Sequence, residues 1–229
     1  MRIAVLGSGV VGRTLALGLA ERGHDVKVGT RDPAATLARG TDTGDGEALP
    51  PWHGAAPVVE LATFRDAARS ADVIVNATNG VASIEVLTDA GAENLAGKVL
   101  LDVTNPLDFS AGFPPTLFVS DSDSLAEQIQ RAFPEARVVK SLNTMTSALM
   151  VDPELVQGGD FTTFVSGNDA SAKKSVVELL GELGHRDVID LGDLTTARGA
   201  EMILPLWLRL MGALETPTFG FKVVRGARR

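Results

Sequence analysis

Residues 2–12 have the sequence Arg-Ile-Ala-Val-Leu-Gly-Ser-Gly-Val-Val-Gly, an apolar run followed at once by a glycine-rich turn. The first five residues predict a strand, and a helical pattern with apolar residues four apart begins at Val10. The glycines match Gly-x-Gly-x-x-Gly, which is a weak signal alone but a specific one between a strand and a helix. The segment therefore predicts the strand–turn–helix unit of a dinucleotide-binding fold.

Each glycine of this turn has its own expected role. Gly7 permits the tight turn, Gly9 lets the backbone approach a pyrophosphate, and Gly12 lets helix and strand pack closely. Backbone N–H groups of the first helical turn would then face the phosphates. A tight strand–helix turn without a ligand is the alternative interpretation. The residues that we expect to bind the cofactor here are Gly7, Ser8, Gly9, Val10, Val11 and Gly12.

The end of the second predicted strand indicates which dinucleotide binds. NAD sites place an Asp or Glu about 20 residues after the glycines, where it binds the ribose hydroxyls. Here Thr30 stands eighteen positions after Gly12 and is followed by Arg31. A hydroxyl next to a guanidinium suits a 2′-phosphate, so we predict NADP(H). Asp32 would be the ribose acid in a shifted register, but Asp before Pro33 is typical of a helix start.

Strand and helix patterns alternate along the rest of the chain. Further strands are predicted at 25–29, 58–61, 72–76, 98–103, 138–142, 162–166, 187–191 and 219–224. Later helices are predicted at 125–133, 146–156, 170–183 and 195–214, the last interrupted or kinked at Pro205. Residues 40–57 are predicted to form a surface loop. The alternation predicts an α/β protein with a doubly wound, mostly parallel sheet. We divide it into an N-terminal Rossmann domain, 1–142, and a smaller C-terminal α/β domain, 143–229, that closes the cleft.

Three polar segments follow predicted strands, at 76–80, 102–106 and 140–145. Ligands of doubly wound sheets bind at the carboxyl ends of the strands, so these segments should line the cofactor cleft. Asn and Thr also end strands and cap helices for purely structural reasons, which is the alternative for each single residue. The cofactor-lining residues that we predict from these segments are Asn76, Ala77, Thr78, Asn105 and Pro106.

The composition excludes several kinds of chemistry. The sequence has no cysteine, so a disulfide framework, a thiolate metal site, an iron–sulfur cluster and a cysteine nucleophile are excluded. It has no tyrosine, and its histidines, His24, His53 and His185, are expected at the surface. We expect no metal site, and Lys140 is open to two interpretations, a group acting at a strand end or a salt bridge. Direct hydride transfer between two bound cofactors is therefore favoured over chemistry that needs a protein acid.

Charge and hydropathy indicate the expected partners. The net charge of −8 argues against a nucleic-acid partner. The longest apolar run, 202–214, is shorter than a membrane span and contains a proline and an arginine, and the N-terminus shows no signal peptide. We expect a cytoplasmic protein with no membrane partner. The apolar helix at 195–214 would be core or a homodimer interface, and we favour the homodimer.

Five segments occur in a distinctive order: residues 2–12, Gly29-Thr-Arg31, Val139-Lys-Ser-Leu-Asn-Thr-Met145, residues 165–168 and residues 190–193. With this spacing the chain resembles the NADP oxidoreductases that depend on the deazaflavin coenzyme F-420. The resemblance implies that a hydride passes between nicotinamide C4 of NADP(H) and deazaflavin C5, with the deazaflavin stacked on the nicotinamide. It also implies a hydride-transfer pocket at 142–145, with Asn143 and Met145 as candidate catalytic residues. Some family members have His in place of Asn143.

Two other functions remain open from the sequence. An NADP-dependent reductase of a small carbonyl or imine substrate would share the N-terminal unit, but such enzymes usually add a long helical C-terminal domain. Only about 85 residues follow Asn143 here, and they keep strand patterns. A non-catalytic NADP-sensing module would also fit a polar cleft without acid–base groups. Hydride transfer between NADP(H) and a flavin-like acceptor other than the deazaflavin is a variant of the function that the family resemblance implies.

Overall fold

The computed structural model describes residues 1–38 and 59–226 and shows an α/β fold. The strands are β1 (Arg2–Leu6), β2 (Asp25–Thr30), β3 (Glu60–Thr63), β4 (Val73–Asn76), β5 (Val99–Asp102), β6 (Leu107–Asp108), β7 (Thr116–Leu117), β8 (Arg137–Ser141), β9 (Thr162–Gly167) and β10 (Asp187–Gly192). The helices are α1 (Val10–Glu21), α2 (Pro33–Ala38), α3 (Phe64–Ser70), α4 (Ser83–Ala90), α5 (Ala92–Leu95), α6 (Leu125–Ala132), α7 (Ser147–Val151), α8 (Ala170–Glu182), α9 (Ala197–Met202) and α10 (Leu204–Leu214).

Eight strands form one sheet in the order β10-β9-β8-β5-β4-β1-β2-β3, and β6 and β7 form a separate hairpin. Neighbouring strands of the large sheet are parallel except for β8 and β9. The register places Asn76 beside Leu6, Asp102 beside Asn76, and Lys140 beside Asp102. The carboxyl ends of β1, β4, β5 and β8 therefore meet along one edge. The predicted doubly wound, mostly parallel sheet is confirmed.

The sheet buries an apolar cluster on each of its faces. Alternate residues of a strand point to opposite faces, and in β1 Ile3 and Val5 join one cluster while Ala4 and Leu6 join the other. The first cluster includes apolar residues of α1 and α8, and the second includes residues of α3, α4 and α6. Helices on both faces explain why the central strands are continuously apolar.

Of two predictions about the C-terminal part, one is confirmed and one was wrong. The helix predicted at 195–214 is interrupted near Pro205, as expected, and forms α9 and α10, with Pro205 in the first turn of α10, where its missing N–H costs nothing. The strand predicted at 219–224 does not form. Instead the segment is irregular, and its backbone contact with the sheet includes one bond, from Thr162 N to the carbonyl oxygen of Phe221 at 2.7 Å.

The division into domains at 142/143 stays a prediction. Both β9 and β10 follow residue 142, and they hydrogen-bond into the same sheet as the N-terminal strands. The loop predicted at 40–57 lies outside the described residues. Within 1–38 and 59–226, no helix has both the length and the hydropathy needed to cross a membrane.

Candidate functional site

The glycine turn after β1 is closed by backbone contacts. Gly7 has φ +119°, a conformation that L side chains rarely adopt, and its N–H donates to the Gly29 carbonyl oxygen at 3.0 Å. A Cβ on Gly12 would overlap the carbonyl group of Gly7, and a Cβ on Gly7 would collide with the backbone of Ala77. Strand, turn and helix can therefore pack this closely only with glycine at both positions.

The N-terminus of α1 fits an anionic ligand. Gly9 caps the helix without a side chain, no acidic residue lies in the first turn, and no side chain of residues 1–38 or 59–226 accepts from the first N–H groups of the helix. A Cβ on Gly9 would meet no atom within 4 Å, so the space above the turn is open. Uncapped N–H groups and the positive end of the helix dipole together make a phosphate site. The geometry of the turn thus fits a pyrophosphate.

The end of β2 differs in one respect from the sequence prediction, in which Thr30 and Arg31 both contact the cofactor. The hydroxyl of Thr30 is buried and lies 2.7 Å from the hydroxyl of Thr36. Asp32 caps α2, accepting from Ala35 N at 2.9 Å, which confirms its interpretation as a helix start. Arg31 is exposed and makes no hydrogen bond or ion pair within the described part of the chain. Its guanidinium remains available to a ligand phosphate.

A small cavity lies where the polar strand ends meet. It has a volume of about 180 Å³, and Val11 of the glycine turn reaches it. Asn76, which was expected to line the cleft, does not line this cavity: it is fully buried and donates to Asp102 Oδ1 at 3.0 Å. Pro106 does not line it. The lining residues are Val11, Ala77, Thr78, Asn79, Gly80, Val103, Thr104, Asn105, Leu107 and Phe109.

Asn143 and Met145 have different surroundings. The Asn143 side chain donates to Asn105 Oδ1 at 2.9 Å and to the Ala200 carbonyl oxygen at 3.0 Å. The preceding Leu142 has φ +61°, and this left-handed conformation turns the chain after β8. Met145 instead packs in the apolar cluster on the α1 face of the sheet.

A buried ionic cluster lies close to Asn143, whose side chain binds Ala200, the residue before Glu201. Lys140 Nζ lies 2.8 Å from Asp102 Oδ2 and 2.9 Å from Glu201 Oε1, and it donates to the Thr104 carbonyl oxygen at 2.5 Å. Burial opposes the charged ammonium, but the carboxylates of Asp102 and Glu201 outweigh burial and raise the pKa of Lys140. The salt-bridge interpretation of Lys140 is confirmed.

Glu201 is a residue that sequence reasoning missed. It lies on α9 and accepts from the backbone N–H groups of Leu125 and Ala126 at 2.8 and 3.1 Å, at the start of α6. The only sequence signal was a lone acid within an apolar segment, because its partners lie about 60 to 75 residues away. On the same helix, Arg198 binds Glu127 through two hydrogen bonds.

A larger cavity lies between the β6–β7 hairpin and the last two helices. Its volume is about 460 Å³, within the usual range for small-molecule sites. Met202, which follows the buried Glu201, lines this cavity, and Arg209 supplies its positive charge. The complete lining is Pro114, Pro115, Thr116, Leu117, Ser120, Met202, Pro205, Leu208 and Arg209.

The described histidines serve structure. His185 was expected at the surface, which is wrong, because only 6% of it is exposed. Its Nε2 donates to the Met150 carbonyl oxygen at 3.1 Å, which fixes Nδ1 as the acceptor from the Thr163 hydroxyl at 2.9 Å. His24 lies 2.7 Å from Glu182, away from both cavities. His53 lies outside the described residues.

The sheet and the glycine turn define a Rossmann-type dinucleotide-binding protein. Residues 2–106 match the family model described as "NADP oxidoreductase coenzyme F420-dependent". The chain belongs to this family.

Three relatives show how far the similarity extends. The F420-dependent NADP reductase of Methanocaldococcus jannaschii is 30% identical over 230 residues, which cover 97% of this chain and 98% of the relative. A protein of Arthrobacter sp. FB24, provisionally assigned as an F420-dependent NADP reductase, has a crystal structure that superposes on this one with a TM-score of 0.92. The two sequences are 61% identical, and the match covers 98% of this chain and 100% of that chain. Rat metalloreductase STEAP3 is 29% identical over 218 residues, 95% of this chain but only 38% of that protein.

Proposed function

We propose that the protein transfers a hydride between NADP(H) and a deazaflavin coenzyme of the F-420 type. When bound, the nicotinamide and the deazaflavin supply the two carbon centres between which the hydride passes. One observation carries the proposal: the uncapped N-terminus of α1 opens above Gly9, in the family's glycine turn. The M. jannaschii relative, similar over almost its full length, is named an F420-dependent NADP reductase.

The NADP(H) site extends from the glycine turn along the strand ends. The turn at Gly7–Gly12 binds the pyrophosphate through backbone N–H groups. Arg31 binds the 2′-phosphate, since its guanidinium is exposed and has no partner in the described part of the chain. Thr30 supports this corner through its buried bond to Thr36. The small cavity, lined by Ala77, Thr78 and Asn105 among others, takes the nicotinamide end.

The larger cavity is suited to the acceptor. Its proline, leucine and methionine side chains offer an apolar surface to a planar ring, and Arg209 offers a positive group to an anionic tail. Asn143 binds Asn105, which lines the first cavity, and Ala200, on the helix that contributes Met202 to the second. These two bonds support a role for Asn143 in holding the nicotinamide and the deazaflavin in register.

The residues around both cavities suit hydride transfer without a protein acid. Among the described residues that line them, none is Asp, Glu or His. Direct hydride transfer between two cofactors depends on the relative orientation of their rings and on the exclusion of water more than on proton donors. The chain's own contribution is therefore binding, orientation and exclusion of water.

The experiment is oxidation of NADPH by purified protein, followed by the loss of nicotinamide absorbance, with deazaflavin coenzyme, FMN and FAD as separate acceptors. We expect turnover with the deazaflavin and little with the flavins. Turnover of FMN or FAD alone would assign a different acceptor. Tight binding of NADPH without turnover on any of them would favour the sensing module.

We also propose that the protein forms a homodimer through α10. In this helix 53% of Leu206 and 52% of Leu214 are exposed, and Pro205 is exposed as well. Large apolar side chains that a helix leaves exposed favour burial against a second copy. Light scattering should give the dimer mass for the wild-type protein and the monomer mass for Leu206→Glu. A wild-type protein that is monomeric at high concentration contradicts this assembly.

A further inference from the structure

We propose that the buried cluster of Asp102, Lys140 and Glu201 places a net negative charge behind the cleft and so favours the oxidised nicotinamide. The inference rests on the proposed function, because it needs NADP(H) at the strand ends. The oxidised ring is cationic and the reduced ring is neutral, so a fixed negative charge stabilises the oxidised form. The cluster thereby favours hydride donation from NADPH.

The bonding pattern fixes the charges of the cluster. Asp102 accepts from Asn76 Nδ2, from the N–H and hydroxyl of Thr104, and from Lys140. Every partner is a donor, which is the pattern of an ionised carboxylate. Lys140 uses its three protons on Asp102, Glu201 and the Thr104 carbonyl oxygen.

Glu201 has the same pattern on the other side of the ammonium. Its two oxygens accept from the N–H groups of Leu125 and Ala126 and from Lys140. One ammonium therefore faces two carboxylates, and the N-terminus of α6 offsets only about half a unit of charge. All three side chains are at most 2% exposed, so salt screens the remaining charge weakly.

Thr104 links the cluster to the cleft. It lines the small cavity, while its N–H and hydroxyl bind Asp102 and its carbonyl oxygen accepts from Lys140. The charge thus lies one residue behind the cavity wall. The positive charge of the nearby Arg198 is neutralised by Glu127, to which it makes two hydrogen bonds, so this pair does not change the net negative charge behind the cleft. Asp102, Lys140 and Glu201 act on the cofactor through this field and are positioning residues.

The test is the ratio of the dissociation constants of NADP⁺ and NADPH, each measured by titration calorimetry on the folded protein. Glu201→Gln and Asp102→Asn each remove one negative charge from different sides of Lys140. We expect each to raise the ratio of the NADP⁺ dissociation constant to the NADPH dissociation constant by about three- to tenfold, the size of one buried unit charge that lies behind the cavity wall. A circular dichroism spectrum and a thermal melt establish that each variant is folded.

Two further variants separate charge from packing. Lys140→Met combined with Glu201→Gln restores the net charge of −1 through Asp102 alone, and its ratio should return towards the wild-type value. Asp89→Asn removes an equally negative but exposed side chain of α4 and should leave the ratio unchanged.

The outcomes distinguish this inference from the proposed function. Wild-type protein that binds neither form of NADP contradicts the cofactor site itself. Variants that weaken both forms by the same factor leave the site standing and overturn the electrostatic role. A shift in both single variants that the double variant reverses supports it.

Discussion

The side-chain amides of Asn105 and Asn143 bind each other across the ends of β5 and β8. Asn143 Nδ2 donates to Asn105 Oδ1 at 2.9 Å, and Asn105 Nδ2 donates to the Asn143 carbonyl oxygen at 3.0 Å. Asn143 makes a second bond to Ala200 of α9. This arrangement ties the wall of the small cavity to the helix that borders the large one.

Replacing Asn143 should affect both stability and turnover. Asn143→Ala removes the donor to Asn105 Oδ1 and to the Ala200 carbonyl oxygen, at a cost of about 1–3 kcal/mol in the free energy of unfolding, while the bond from Asn105 Nδ2 to the backbone carbonyl oxygen of residue 143 is kept. We expect kcat with the deazaflavin to fall at least about tenfold, because misplacing reacting groups is costly. Denaturant unfolding and steady-state kinetics measure the two effects. Asn94→Ala, which loses a hydrogen bond on α5 remote from the cleft, is the control for kcat.

Arg31 should carry the preference for NADP. Arg31→Ala should weaken NADPH by about 1–3 kcal/mol, the size of charge-assisted hydrogen bonds, and leave NADH almost unchanged. Binding titrations with both cofactors check this expectation. Arg65→Ala removes another exposed arginine, paired with Glu93 on the surface, and should change neither constant. If Arg31→Ala lowered the affinities for NADPH and NADH by the same factor, Arg31 would not be the residue that binds the 2′-phosphate.

The glycines of the turn should separate binding from folding. Gly9→Ala adds a methyl group into open space, so the fold should be preserved while the pyrophosphate loses its approach and NADPH affinity falls at least about tenfold. Gly12→Ala should instead destabilise the protein by about 1–3 kcal/mol, because its Cβ would overlap the Gly7 carbonyl. Gly181→Ala, a helical position with open space, should stabilise by about 0.5–1 kcal/mol. Thermal melts and NADPH titrations distinguish the three variants.

His185 should make stability depend on pH. Burial, followed by the positive charge of Arg22, lowers the pKa of His185 despite its bond to Met150. The unfolded chain then binds a proton that the folded protein excludes, so stability falls as the pH drops below about 6.5 towards the folded pKa. His185→Gln should flatten the dependence of the unfolding free energy on pH between about 7 and 5. An unchanged slope in this variant would assign the dependence to other groups.

The fold was predictable to the extent that its signals are local. The apolar run of β1, the glycine turn and the helical pattern of α1 each depend on neighbouring residues, and the structure contains all three. Asp32 was recognised as a cap because Pro33 follows it directly. The wrong predictions concern segments whose structure depends on residues distant in the sequence. Residues 219–224 have strand composition, yet no strand forms there in the described chain.

The site was predictable only in part for the same reason. Asparagines at strand ends indicated a polar edge, and the register of parallel strands brings these ends together. Glu201 stays hidden in the sequence because its partners Lys140 and Leu125 come from distant segments. The burial of His185 depends likewise on Met150 and the packing around it, which no local pattern encodes.

The most direct test of hydride transfer between NADP(H) and the deazaflavin is a single turnover with NADPH deuterated at nicotinamide C4, in ordinary water, followed by mass spectrometry of the reduced deazaflavin. Each face of C4 is labelled in a separate experiment. Direct transfer predicts that one of the two labelled cofactors delivers its deuterium to the deazaflavin nearly completely. Reduced deazaflavin without deuterium from either, or no reduction at all by protein that binds NADPH, would contradict the account.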